Sequence, residues 1–175
     1  MFGITEIRVA GIPEAELIAD ISRRTFYDSF AAQNTREDMD RFLNEQFTRE
    51  KLIAETEDPD SIFLLAYLDG KLAGYARMRE SDYLPEPGTV NAIEIARIYS
   101  EQWSIGKGIG KALMQRCLEV AAEKRKEWIW LGVWEHNQRA IGFYKKWGFE
   151  KFGEHIFVVG EDPQIDWLMK KQIGS

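Results

Sequence analysis

The chain has 175 residues, a formal net charge of −6 and a pI near 5.1, with 45% hydrophobic and 13% aromatic residues, enough apolar surface for one core and a single domain over 1–175. Its basic residues are scattered, which argues against a nucleic-acid partner; no stretch approaches the roughly 20 apolar residues of a membrane span; and MFGITEIRVA has no basic segment leading into an apolar run, so no signal peptide is expected. The single cysteine, Cys117, excludes an internal disulfide and a multi-cysteine metal cluster and fits a reducing cytoplasm.

Residues Ile4 to Ala10 alternate and read as a strand, broken at Gly11-Ile12-Pro13, where Pro13 suits a helix start. From 14 to 31 the spacing is helical, with Leu17, Ile18, Ile21, Phe26 and Phe30 on one face. Asn34-Thr35 opens a second helix through Phe42, with Asp38 at the capping-box position, and a short third helix covers Thr48 to Glu55. Asp58-Pro59-Asp60 is a loop. Ile62 to Leu68 and Leu72 to Arg79 pair as a hairpin about Asp69-Gly70. Pro85-Glu86-Pro87-Gly88 marks a loop before a strand from Val90 to Ser100. A glycine-rich turn then leads into a long helix, about 108 to 126. Trp128 to Trp134 is mostly apolar and reads as an interior strand. A helix from Gln138 to Trp147 ends at Gly148, and strands Phe149 to Val159 and Ile165 to Met169 close the chain. Hairpins mixed with βα units imply an α/β domain, one mixed sheet with helices on both faces.

Two segments carry chemistry. In Ile105-Gly106-Lys107-Gly108-Ile109-Gly110-Lys111-Ala112-Leu113, glycines allow a tight turn, and the helix that follows offers unpaired N–H groups and the positive end of its dipole, the ingredients of a pyrophosphate cradle. A Walker loop would need Ser or Thr after Gly110-Lys111, and Ala112 stands there; a dinucleotide fingerprint would need a different glycine spacing. The string also fits a plain strand-to-helix turn. In Asn137-Gln138-Arg139-Ala140-Ile141-Gly142-Phe143-Tyr144-Lys145-Lys146-Trp147-Gly148-Phe149, Tyr144 offers a phenol able to donate a proton, while Phe143 and Tyr144 equally fit core aromatics.

Together the two segments resemble the coenzyme-A half of GNAT acetyltransferases. That family's first motif, Gln/Arg-x-x-Gly-x-Gly/Ala, is matched by Gly108 and Gly110. Its second, Asn-x-x-Ala-x-x-Phe-Tyr-x-x-x-Gly-Phe, is matched by Asn137, Ala140, Phe143, Tyr144, Gly148 and Phe149. The departure is Ile105, which stands where the family has Gln or Arg. Asn34 to Met39, Glu50 to Leu52, Asp69 to Tyr75 and Glu94 to Tyr99 are similar to the bacterial polyamine acetyltransferases of the PaiA type. The resemblance implies a mixed, mostly antiparallel sheet of about seven strands.

It also implies a cytoplasmic enzyme that moves an acetyl group from acetyl-CoA to a primary amine by direct attack, without a metal. The cofactor would lie in a gap between the strand before the glycine-rich loop and the next strand. Backbone of Ile98 and Tyr99 would pair with pantetheine, N–H groups of Gly106, Lys107, Gly108, Ile109, Gly110 and Lys111 would take the pyrophosphate, and Asn137 would bond the cofactor arm. Ser100, Ala140 and Lys146 join the cofactor-binding set. Tyr144 would protonate sulfur. Glu94 would be the general base, or else pair with Arg97 or a substrate ammonium; Glu135 and His136 are further candidates. Cys117 reads as a buried small hydrophobe and His155 receives no role. The partner would be a small cationic amine, spermidine or spermine first, with a protein N-terminus or antibiotic amine as alternatives, and Asp28, Glu37, Asp38 and Asp82 would border its cleft. A homodimer is compatible with the resemblance. The rival reading is a non-catalytic acyl-CoA-binding module.

Overall fold

In the computed structural model, which describes residues 3–83, 90–159 and 161–173, seven strands form one sheet in the order β1-β2-β3-β4-β5-β7-β6. They are β1 (Thr5–Ala10), β2 (Ser61–Leu68), β3 (Lys71–Tyr83), β4 (Val90–Ser100), β5 (Trp128–Trp134), β6 (Glu150–Val159) and β7 (Asp162–Gln172). Every neighbouring pair is antiparallel except β4 and β5, which run parallel through the crossover that contains the long helix. The loop expected at Pro85 to Gly88 and the side chain of Asp82 lie outside the described residues.

Five helices flank the sheet: α1 (Ala15–Phe30), α2 (Arg36–Glu45), α3 (Arg49–Glu55), α4 (Ile109–Glu123) and α5 (Gln138–Lys146). The period-2 geometry of β2 shows why both faces are covered. Phe63 and Leu65 point to one face and pack with Ile18 and Ile21 of α1 and Tyr75 of β3. Leu64, Ala66 and Leu68 point to the other and join Leu113, Met114 and Cys117 of α4 and Ile141 and Tyr144 of α5. A central strand apolar at nearly every position is therefore sandwiched between α1 and α4.

Several boundaries differ from the sequence reading. Leu17 is 40% exposed, because the buried stripe of α1 runs through Ala15, Ile18, Ile21, Ser22 and Phe26 instead. α4 stops at Glu123: Arg125 adopts a left-handed φ of 57°, and the N–H of Lys126 turns back to the Ala121 carbonyl. β7 runs from Asp162 to Gln172, well beyond 165–169, since its polar residues Gln164, Asp166 and Lys170 pair in the ladder as readily as apolar ones. Thr35 caps α2 through the Asp38 N–H, but the Asp38 carboxylate accepts from Glu161 N–H rather than closing the box.

The start of α4 is held against β3. The Glu101 N–H donates to the Ala73 carbonyl at 2.7 Å, and the buried Ser104 hydroxyl donates to the same carbonyl at 2.8 Å. Next to this anchor lies Gly74, where a Cβ would come within 2.7 Å of the Tyr99 carbonyl and 2.8 Å of Ile109 Cγ2. Gly74→Ala normally gains stability by restricting the unfolded chain, about 0.4–1 kcal/mol. Here the backbone contact decides the sign, and the variant is expected to lose about 1–3 kcal/mol, the usual cost of overpacking. Denaturant unfolding monitored by tryptophan fluorescence checks this.

Candidate active site

The parallel ladder between β4 and β5 begins at Ala92↔Trp128 and ends at Ile95↔Leu131. Beyond that point β4 stays with β3 as far as Ser100, while β5 follows β7 as far as Trp134. The divergence starts at a bulge: Met78 pairs with Ile95 and Arg77 with Arg97, so Ala96 is an extra residue in β4. The bulge also resets the alternation. Ile93, Ile95 and Ile98 join the α4 side of the core, whereas Tyr99 stacks with Tyr75 and Arg97 reaches Glu55 on the α1–α3 side.

The splay opens into a cavity of about 1000 Å³ that passes from one face of the sheet to the other. Its α4 side is lined by Gly106, Gly108 to Lys111, Asn137, Ala140, Phe143 and Tyr144. Ile98, Tyr99 and Ser100 line it from β4, as does Ile105 from the turn. On the α1–α3 side stand Phe26, Phe30, Phe42, Phe47, Tyr99 and Trp134, with Arg77, Arg79, Glu55 and Glu94.

The glycine-rich turn presents free donors. Gly106 and Gly108 have φ of 86° and 85°, a left-handed geometry that only glycine adopts without strain, and Gly108 caps α4. The N–H groups of Gly106, Gly108, Ile109, Gly110 and Lys111 have no acceptor among the described residues, and the first intrahelical bond is Ala112 N–H to the Gly108 carbonyl at 3.0 Å. Lys107 departs from the expectation: its N–H is spent on the Ser104 carbonyl at 3.1 Å, and its ammonium lies over the Trp103 ring, outside the cavity. Lys146 is exposed on α5 and likewise does not line the cavity, because it falls on the solvent side of a helix whose buried residues are Ile141 and Tyr144.

Asn137 has two duties. Its side-chain oxygen accepts from the Ala140 N–H at 3.2 Å and caps α5, which explains the Asn-x-x-Ala spacing, and the residue also lines the cavity, its amide N–H₂ not used by the cap. Tyr144 follows two turns later, 8% exposed, packed edge-on against Phe143 and Phe149. Burial raises its phenol above the ordinary range, so the group stays protonated at neutral pH. Burial raises Tyr99 likewise, helped by Tyr75 and Tyr144.

On the opposite face, Glu94 accepts two hydrogen bonds from Arg79, at 3.0 and 2.6 Å. Its partner is thus Arg79 rather than Arg97, which instead shares Glu55 with Arg77. Glu135 and His136 pair with each other at 3.2 Å at the end of β5, and neither lines the cavity. Asp28 lines it, whereas Glu37 and Asp38 do not. Sequence reasoning missed Asp166, a partly buried carboxylate of β7 on the cavity wall whose pKa is raised by burial and lowered again by His155. The alternation Gln164-Ile165-Asp166-Trp167 is the signal that places it on the same face as Gln164, another cavity residue.

Residues 18–149 match the Acetyltransferase (GNAT) family. The chain belongs to that family. It is therefore an acetyl-CoA-dependent N-acetyltransferase. It is similar to an uncharacterized N-acetyltransferase in the pepI 3′ region of Lactobacillus delbrueckii subsp. lactis, 41% identical over 99% of each chain. It is 25% identical to the spermidine N(1)-acetyltransferase of Thermoplasma acidophilum over 97% of this chain and 98% of that one. The fold is that of the PaiA N-acetyltransferase of Thermoplasma acidophilum, solved in complex with coenzyme A, with a TM-score of 0.74, 24% identity and coverage of 97% and 99%.

Cys117 lies in the core of α4, fully buried, and burial pushes its thiol up to about 12. It is a packing residue, as its place in the helix implied. A disulfide-exchange thiol reagent is expected to titrate no thiol in the native protein at pH 8 and one after denaturation, read by absorbance. Rapid native labelling would show that α4 opens.

Proposed function

We propose that the splay between β4 and β5 holds acetyl-CoA and that a primary amine, with spermidine or spermine as the preferred class, attacks from the α1–α3 side. The observation that supports this most is the set of unspent N–H groups at the start of α4, beside a strand edge with no partner. Anions gain from such a helix start, where free donors and the helix dipole act together. When bound, acetyl-CoA supplies the activated acyl carbon. The N–H groups of Gly106, Gly108, Ile109, Gly110 and Lys111 would take its pyrophosphate, and the free edge of β4 at Ile98 to Ser100 would align its arm. Asn137 would donate to the arm through its amide N–H₂. Ile105 offers no side-chain donor, so the phosphate site rests on backbone groups.

Tyr144 is the proposed acid. Its phenol borders the same cavity as the cradle and remains protonated, so it can deliver a proton to the departing sulfur. A module with no chemical role would have no use for a cavity-facing phenol there. Glu94 lies on the acceptor side, but its carboxylate is shared with Arg79, and we assign it charge placement around the incoming amine.

The polyamine reading draws on the spermidine-acetylating relative and on the cavity lining. Phe26, Phe30, Phe42, Phe47 and Trp134 give the cavity an apolar wall for methylene spacers, and Asp28 and Asp166 on the same lining form no ion pair within 4.0 Å among the described residues.

The test pairs parent and Tyr144→Phe in acetyl transfer to spermidine, with n-butylamine as the simple monoamine. The parent is expected to show a higher kcat/KM on spermidine, and the variant to lose ~10²-fold in kcat with little change in acetyl-CoA affinity by calorimetry. Equal kcat/KM on the two amines removes the polyamine reading. A variant within about twofold of the parent leaves Tyr144 as packing.

A further inference from the structure

Four carboxylates line the cavity: Asp28, Glu55, Glu94 and Asp166. Glu55 is shared between Arg77 and Arg97, and Glu94 is held by Arg79. Asp28 is exposed on α1. Asp166 alone among these four is partly buried and lies beyond 4.0 Å from any Lys or Arg among the described residues. A carboxylate paired with arginine is a poor proton acceptor, because the guanidinium favours its charged form. The chemistry needs an acceptor, since an amine at neutral pH is an ammonium with no lone pair to attack.

The position of Asp166 follows from the sheet. It pairs across β7 with Trp134 of β5 on one side and with His155 of β6 on the other. It shares a sheet face with Gly132, where a Cβ would lie 3.6 Å from Asp166 Oδ2 and 3.7 Å from His155 Cε1. The missing side chain at 132 leaves the carboxylate open to the splay. Tyr99, on the β4 wall, interacts electrostatically with both Tyr144 and Asp166. The proposed acid and this carboxylate both line the same cavity.

We infer that Asp166 is the general base that takes the proton from the acceptor amine; the inference rests on the acetyl-transfer reading of the cavity. The incoming ammonium gives one proton to the Asp166 carboxylate. The freed nitrogen lone pair forms the N–C bond to the acyl carbon, and the electron pair of the C–S bond leaves with sulfur. Tyr144 gives its proton to that sulfur and recovers one from the now cationic nitrogen. The products are an acetamide and the free thiol, and the proton on Asp166 passes to solvent, so one proton is released per ammonium consumed.

Burial supports this role. It raises Asp166 above the ordinary carboxylate range, which makes it a stronger base than an exposed aspartate, while the His155 imidazole beside it pulls the other way. His155 from β6 is the titratable group that acts on it, and Asp166 in turn raises Tyr99 of β4. Trp134 and Gly132 of β5 and Gln164 of β7 bring no charge to that face. The rate should therefore rise with pH through the raised Asp166 midpoint, above the ~3.9 of a free aspartate.

The experiment compares parent and Asp166→Asn on whichever of spermidine, spermine, a peptide N-terminal amine and an aminoglycoside the parent acetylates fastest. Failure of the parent on the first two thus removes only the polyamine reading. Asp166→Asn is expected to lose ~10²–10⁴-fold in kcat/KM at pH 7 and to recover as pH rises toward the amine's own pKa, with acetyl-CoA affinity and thermal unfolding unchanged. A ¹³C NMR titration of the Asp166 carboxyl in the parent is expected to show a midpoint above ~3.9. The inference is overturned by a variant that keeps the parent's kcat and pH profile, including one that raises only KM for the amine. It is overturned equally by a carboxyl that titrates at or below the ordinary aspartate value.

Discussion

The structure depends on where one parallel ladder stops. β4 and β5 pair only from Ala92↔Trp128 to Ile95↔Leu131, in the middle of the sheet, where strands ordinarily stay joined. Leaving backbone donors and acceptors unpaired in a protein interior costs about 1–3 kcal/mol for each group. The chain meets that constraint by turning the break into an open cleft. The extra residue Ala96 bends β4 away, β7 takes over the far edge of β5, and the free edges face a cavity. The cradle at α4, the phenol of Tyr144 and the carboxylate of Asp166 all border that break.

What surrounds the cleft holds it open. On one side, Ser104 and Glu101 tie the turn before α4 to the Ala73 carbonyl, and Gly74 lets α4 come close to β3. Buried Glu101 also takes Arg24, which fastens α1 to the end of β4. On the other side, Glu55 at the end of α3 is gripped by Arg77 and Arg97, and Arg77 also donates to Ser61. A buried charge left without its partner costs several kcal/mol, so each network fixes a helix to the sheet in one arrangement. The α4 side is thus held through the Ala73 carbonyl and the Arg24–Glu101 pair, and the α3 side through the ion pairs of Glu55.

Much of this was legible in the chain. The bounds of β4 are legible because Val90 to Ser100 is a long extended run, and those of α5 to within one residue because Asn137 is both a cap and the head of a spaced motif. The glycine turn was legible because left-handed backbone demands glycine. Other features left no local mark. The end of α4 rests on Arg125 in a conformation usually given to glycine, and the bulge at Ala96 exists only through pairing with β3. Lys107 and Lys146 sit inside motifs, yet the turn and the helix face carry them away from the cavity. Asp166 lies in a segment legible only as a closing strand, and its place on the cavity wall appears once β5 and β6 stand beside it. Motif spacing shows which backbone groups converge, whereas convergence of side chains from distant strands is a property of the sheet.

The central claim, that the break between β4 and β5 is where the acetyl donor lies, is tested most directly by amide hydrogen exchange with and without acetyl-CoA. The account predicts slowed exchange on binding at Ile98 to Ser100 and at Gly108 to Lys111, with the amide of Lys107, already bonded to Ser104, little changed. Protection confined to other segments, or none at saturating acetyl-CoA, would contradict it.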